Sequence, residues 1–156
     1  MKKIKYYLDT TILNFAFADD VPERKKHTTK LINAFPSIAE AVYISDEVIN
    51  EISKAQEPKR TQLEELVREI NPFGLVIGKE AEDLAERYIK EGIIPKKYRS
   101  DALHIAVSVV DGIEVIVSWN FEHIVKLKTR LMVNGINRLL GYRDIEICSP
   151  EEVIEP

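Results

Sequence analysis

Tyr98-Arg99-Ser100-Asp101-Ala102-Leu103-His104-Ile105-Ala106 is the stretch on which the reading of this chain turns. Val107, Val109 and Val110 extend its apolar run. A helix apolar over most of its circumference is buried between other elements. An acidic residue in its first turn, Asp101, is favoured by the free N–H groups and the positive dipole end found there. It also puts negative charge at the mouth of a core, where a solvent-facing cleft would lie. One aspartate so placed is usually an N-cap. A functional role requires other carboxylates to reach the same place.

Downstream, Asp111-Gly112 ends the helix, and Val115-Ile116-Val117-Ser118 is a continuous apolar run of the kind that fills an inner parallel strand. It ends at Trp119-Asn120-Phe121. Short helices are expected around Glu122 to Leu127 and from Leu131 to Leu140. Ile145-Glu146-Ile147-Cys148 reads as a last strand, and Ser149-Pro150-Glu151-Glu152 as a capped helix start.

Upstream, Ile4 to Leu8 reads as a strand ending at Asp9-Thr10-Thr11, and Ile12 to Phe17 as a short apolar helix or turn. Asp20-Val21-Pro22-Glu23 reads as a capping box opening a helix to about Ala34, with Leu31, Ile32 and Phe35 on its buried side. Val42-Tyr43-Ile44 is a second strand, ending at Ser45. A helix follows from Asp46 to about Ser53, with Val48, Ile49 and Ile52 as its apolar face, Glu51 at the edge of that face and Glu47 further toward solvent. Leu63, Leu66, Val67 and Ile70 form a helical stripe, Asn71 to Gly74 a turn, and Leu75-Val76-Ile77 a brief strand. Lys79 to Lys90 is a helix stopped near Gly92, and Ile93 to Tyr98 a loop.

Strands and helices alternate throughout. The pattern is α/β: a three-layer α/β/α arrangement with a central parallel sheet of about five strands. The length of 156 residues suits a single domain over 1–156, with no repeat, low-complexity tract or linker to divide it. The formal net charge of −4 argues against gripping nucleic acid by bulk charge and leaves room only for a local basic patch. One cysteine, Cys148, allows no intrachain disulfide and fits a reducing, cytoplasmic setting. The basic start lacks the apolar core of a signal peptide, and no apolar run approaches the ~20 residues of a membrane span.

In parallel sheets ligands bind at the carboxyl ends of strands. Asp9 follows the first strand and Asn120 the fourth. A helix that precedes a parallel strand starts from that same end, which brings Asp101 there, and Glu51, six residues beyond Ser45, leans over it. Carboxylates gathered so closely repel one another unless a cation sits among them. Hard oxygen ligands without a His/Cys cluster favour Mg²⁺ or Mn²⁺. With a phosphodiester bound, such an ion lowers the pKa of a water and stabilises the leaving oxygen. Asp9, Glu51 and Asp101 are the expected metal ligands. Thr10 or Thr11 would orient a carboxylate or water, and Asn120 would serve phosphate or a metal-bound water. Lys96, Lys97 and Arg99, just before Asp101, are the best candidates for phosphate contacts.

Four segments carry a family resemblance: Leu8-Asp9-Thr10-Thr11, Ile44-Ser45-Asp46-Glu47-Val48-Ile49-Asn50-Glu51-Ile52, Ser100-Asp101-Ala102-Leu103-His104-Ile105-Ala106 and Val117-Ser118-Trp119-Asn120-Phe121. In order and spacing the chain resembles PIN-domain proteins of the VapC toxin type. The resemblance implies a metal-dependent ribonuclease acting on RNA, often a homodimer and often paired with an antitoxin protein. Asp9, Glu51 and Asp101 match the acidic positions of the family, and the fourth acidic position falls on Asn120.

Each residue also has a structural reading. Asp9, Ser118 and Asn120 can cap helices. His104 reads as a packed, hydrogen-bonded histidine, His123 as a capping or packing residue, and His27 as a solvated one. Trp119 reads as packing at the sheet edge or a dimer contact rather than base stacking. A non-catalytic binding module for RNA or protein is the rival that Asn120 favours. A phosphotransfer domain is weaker. One kind lacks the second aspartate expected where Thr11 stands, and the other lacks an aspartate after Leu75-Val76-Ile77.

Overall fold

The computed structural model describes residues 2–155. Five strands form one parallel sheet: β1 (Ile4–Leu8), β2 (Ala39–Ser45), β3 (Phe73–Leu75), β4 (Val115–Val117) and β5 (Glu146–Cys148), in the order β3-β2-β1-β4-β5. Eight helices lie between and after them among the described residues: α1 (Thr10–Phe15), α2 (Pro22–Ile38), α3 (Asp46–Ser53), α4 (Lys59–Ile70), α5 (Lys79–Lys90), α6 (Arg99–Val110), α7 (Leu127–Leu139) and α8 (Pro150–Ile154). A 3₁₀ turn, Lys96–Tyr98, leads into α6. The expected three-layer α/β/α architecture is observed.

The strand order explains where a site can form. The chain runs outward from β1 through β2 to β3, then returns to the other side of β1 for β4 and β5. The reversal lies between β1 and β4, and in open parallel sheets that is where a crevice opens at the carboxyl ends. Tyr7, Leu8, Ile116 and Val117 on those two strands are fully buried, and most of α6 is buried beside them. Helix α6 is apolar nearly all round because it packs on α5, α3 and β4 together.

Several boundaries differ from the sequence expectation. Helix α2 starts one residue later than a capping box at Asp20 requires: Val21 is its N-cap, with no side-chain cap. It also runs past Ala34 to Ile38. Pro36 stands in its last turn and leaves the Ile32 carbonyl without the N–H it would otherwise accept, and Phe35 is anchored beside Tyr6 with ring centroids 5.7 Å apart. Strand β3 spans Phe73–Leu75 rather than 75–77, because its register pairs Tyr43 with Phe73 and Ser45 with Leu75. Beyond that ladder Val76 is 78% exposed, and the Ile77 N–H donates to the Asp46 carboxylate at 3.2 Å. Residues 122–126 are turns, not a helix. There the Asn120 side chain accepts the His123 N–H (2.9 Å), its backbone carbonyl accepts both the Ile124 and Val125 N–H groups (3.1 and 2.8 Å), and Thr129 donates to the His123 carbonyl (2.7 Å), so the ladder converges on one residue instead of advancing as a helix. Helix α7 accordingly starts at Leu127, not Leu131. Ile49 is 50% exposed, since α3 buries only Val48 and Ile52.

Candidate active site

Asp9 leaves the end of β1 and is buried, with 2% of its surface accessible. Its Oδ1 accepts a hydrogen bond from Thr11 Oγ1 and its Oδ2 one from Ser118 Oγ, both at 2.5 Å. The two hydroxyls accept in turn: Thr11 Oγ1 from the Trp119 N–H (2.9 Å), Ser118 Oγ from the Asn120 N–H (2.9 Å). The segment after β4 is thereby stapled to the end of β1. Asp9 is the N-cap residue of α1 by backbone position, but its side chain makes no cap bond. Burial raises its pKa above the ordinary aspartate value. The charge of His104 and the two hydroxyls oppose that rise, and the charge of Asp101 adds to it.

Glu51 reaches the same edge from α3. One of its oxygens, Oε1, takes Thr10 Oγ1 at 2.7 Å and His104 Nε2 at 2.6 Å. Burial pushes its pKa up, but the bond and charge of His104 with the Thr10 hydroxyl outweigh that and hold it below the ordinary value. Behind it, His104 Nδ1 meets the Tyr7 hydroxyl (2.6 Å), which also meets Ser45 Oγ (2.7 Å). His104 is thus packed and hydrogen-bonded, yet it stands among the carboxylates. Desolvation lowers its pKa, but the Glu51 bond and the charges of Asp9, Glu51 and Asp101 prevail and raise it.

Asp101 is the third residue of α6. Tyr98 is the N-cap, so the capping role does not account for Asp101. Its Oδ2 lies 3.0 Å from His123 Nδ1, and the Asn120 side chain accepts the His123 N–H beside that pair. Burial raises its pKa against the pull of His123, His104 and Asn120. The Tyr98 ring stacks on His123 with centroids 4.1 Å apart.

The structure therefore brings Asp9, Glu51, Asp101, Asn120, Thr10 and Thr11 to the β1/β4 edge. Lys96 and Lys97 are exposed in the turn before α6, and Arg99 is drawn to Glu86 at 2.7 Å. Trp119 packs as expected: it is buried and donates from Nε1 to Thr28 (2.8 Å). His27 is not a solvated residue. It is half-buried beside Trp119, its Nδ1 2.8 Å from the Glu23 carbonyl. Glu47, read as turning to solvent, accepts a bond from Ser100 (3.0 Å) at the rim of the site. Sequence reasoning missed the parts played by Tyr7, His104, Ser118 and His123. The spacing His104 = Asp101 + 3, one helical turn on, was the available signal for one of them.

The donor set has the chemistry of a hard-cation site. Asp9 is a buried carboxylate whose direct partners are neutral hydroxyls, and Asp101 repels it; a divalent ion would relieve both. Among the described residues, no three His, Cys, Asp or Glu side chains are already arranged around one point. An ion of the Mg²⁺ type takes one or two carboxylates and keeps several waters. Asp9 and Asp101 would be that pair, because burial raises the pKa of both, whereas His104 and Thr10 hold Glu51 below its ordinary value.

The fold places the chain in a structural class. It is PIN-like, the arrangement of VapC toxins, and solved structures of that class superpose on most of the chain. The VapBC2 structure from Rickettsia felis, bound to a DNA fragment from its promoter, has a chain matching with TM-score 0.53 and 14% identity. The match covers 94% of this chain and 98% of that one. The DNA-bound VapBC of Salmonella typhimurium matches with TM-score 0.52 and 17% identity over 94% and 98% of the two chains. The sarcin-ricin loop cleaving toxin VapC20 of Mycobacterium tuberculosis matches with TM-score 0.51 and 13% identity over 71% and 86%. No family model matches the sequence, and no curated protein matches it.

Proposed function

We propose that this protein is a Mg²⁺- or Mn²⁺-dependent endoribonuclease, the toxin of a toxin–antitoxin pair. The observation that carries the reading is the convergence of Asp9, Glu51 and Asp101 on the β1/β4 edge, Asp9 held by Ser118, Glu51 by His104 of α6 and Asp101 by His123. Asp9 and Asp101 hold the cation. When bound, it supplies an acidified water and charge stabilisation of the leaving oxygen. Thr11 and Ser118 fix the Asp9 carboxylate. Thr10 and His104 fix Glu51, whose negative charge adds to the field that attracts the cation. His123 holds Asp101, Asn120 holds the His123 backbone, and Lys96 and Lys97 meet substrate phosphates. Asn120 is neutral where a fourth carboxylate would stand, so the site holds fewer cations than a four-carboxylate site. An antitoxin partner and a homodimer belong to the same proposal; two of the fold relatives are VapBC complexes. Among the described residues no helix is long and apolar enough to cross a membrane.

Cleavage of an RNA oligonucleotide with and without Mn²⁺ tests the reading. Metal-dependent cleavage, lost in Asp9→Ala and Asp101→Ala protein, is expected. Activity unchanged in those variants would remove the ligand assignments.

One observation favours a second reading, a PIN-fold module that binds RNA or protein without catalysis. Each of the three carboxylates already accepts hydrogen bonds within the protein. Calorimetry separates the two: RNA or protein binding with no metal uptake and no cleavage favours the module.

A further inference from the structure

We propose that Arg24 and Phe121 form a subsite for single-stranded RNA next to the carboxylates, Phe121 stacking on a base and Arg24 contacting a phosphate. This deepens the nuclease reading and rests on it for the identity of the polymer. The guanidinium carbon of Arg24 lies 5.1 Å from the ring centroid of Phe15, 5.3 Å from that of Trp119 and 5.1 Å from that of Phe121. Three rings around one cation hold it by their quadrupoles and fix its place. Among the described residues Arg24 forms no ion pair and its guanidinium donates no hydrogen bond, although the chain carries more acidic than basic residues. Its planar fork of N–H groups is left for an oxyanion.

The three rings differ in what they offer. Trp119 is buried and bonded to Thr28, and Phe15 packs against the core. Phe121 is 44% exposed, follows Asn120 directly, and meets Trp119 edge to face at 6.0 Å. An exposed aromatic beside a fixed, unpaired guanidinium is the pairing by which proteins hold single strands: the ring takes a base and the cation takes the backbone. The location answers an electrostatic need. Asp9, Glu51 and Asp101 repel a polyanion, and a cation held against Trp119 and Phe121, the residues on either side of Asn120, offsets that repulsion on one side of the site. An acidic peptide would satisfy Arg24 but would leave the face of Phe121 unused.

The test is fluorescence anisotropy of a short labelled single-stranded RNA in EDTA, using Arg24→Gln and Phe121→Leu proteins whose folding is checked by circular dichroism. Wild-type protein should bind, and each variant about fivefold or more weakly. Arg24→Gln should also lower the salt dependence by about one phosphate contact, a slope change of roughly 0.7, whereas Phe121→Leu should leave the slope unchanged. A purely structural clasp would change the melting temperature and leave affinity and slope alone; that result overturns the subsite. If Arg24→Gln fails to fold, the surface variant Phe121→Leu decides alone. Wild-type cleavage of RNA with Mn²⁺, together with undiminished binding by both variants, overturns the subsite and leaves the nuclease reading intact. Weakened variants without any wild-type cleavage sustain the subsite and overturn the nuclease reading. Displacement of the RNA by polyglutamate at equal concentration reassigns the surface to an acidic peptide and overturns the proposal.

Discussion

The hydroxyl of Tyr7 lies 2.6 Å from Nδ1 of His104, and this contact ties the central strand to the buried helix that presents Asp101. The same hydroxyl holds Ser45, the N-cap of the helix that presents Glu51. One tyrosine thus links the strand and both helices that supply carboxylates. Its own ionisation is pushed far out of reach, chiefly by burial.

Tyr7→Phe removes that hydroxyl without changing the shape of the core. It leaves His104 Nδ1 and Ser45 Oγ short of a buried partner. The expected cost is about 1–3 kcal/mol, read as a lower urea midpoint at unchanged slope. Urea unfolding with no midpoint shift would show that the hydroxyl is dispensable.

Asp9 sets stability against function. Its pKa is raised in the folded state, chiefly by burial, so folded protein holds the Asp9 proton more tightly than unfolded protein does. The associated stability is present at low pH and is lost as pH rises from the unfolded value through the folded one. At neutral pH the ionised carboxylate is a cost. In EDTA, Asp9→Asn should melt at or above the wild-type temperature near about pH 7, with the difference shrinking toward about pH 4. The same variant should not cleave RNA. A lower melting temperature at neutral pH would contradict the electrostatic account.

Cys148 should be a slow thiol. Burial, with the charges of Glu152 and Glu146, pushes its pKa up to about 11. Alkylation near neutral pH is expected to be slower than that of an ordinary cysteine by roughly 100-fold, and to become fast in denaturant. Native reaction at the free-cysteine rate would refute this.

Ser149 caps α8 in a reciprocal capping box with Glu152, as the sequence led one to expect. Ser149→Ala should cost about 1 kcal/mol. Because α8 packs on α2, the loss should appear both as faster amide exchange in α8 and as a small drop in melting temperature. Exchange unchanged at Glu152 and Val153 would show the cap to be idle.

The sequence made some of this plain and hid the rest for physical reasons. The apolar runs Ile4–Leu8 and Val115–Val117 and the helices Asp46–Ser53 and Lys79–Lys90 carry strong local periodicity, and they form as read. β3 was displaced because register with Tyr43–Ser45, not local hydrophobicity, selects Phe73–Leu75. The turns over 122–126 depend on side-chain bonds from Asn120 and Thr129, which a periodicity argument cannot see. Gathering of Asp9, Asp101 and Asn120 followed from the rule on strand ends. The commitments of their oxygens did not, since Ser118, His104 and His123 become partners only through contacts distant in sequence.

Diffraction at the manganese absorption edge from crystals soaked in Mn²⁺ tests the central claim most directly. The expected result is an anomalous peak within ligating distance of the Asp9 and Asp101 carboxylates, absent from Asp9→Asn crystals. Soaked wild-type crystals with no peak between those two residues, from protein that still cleaves RNA, would contradict it.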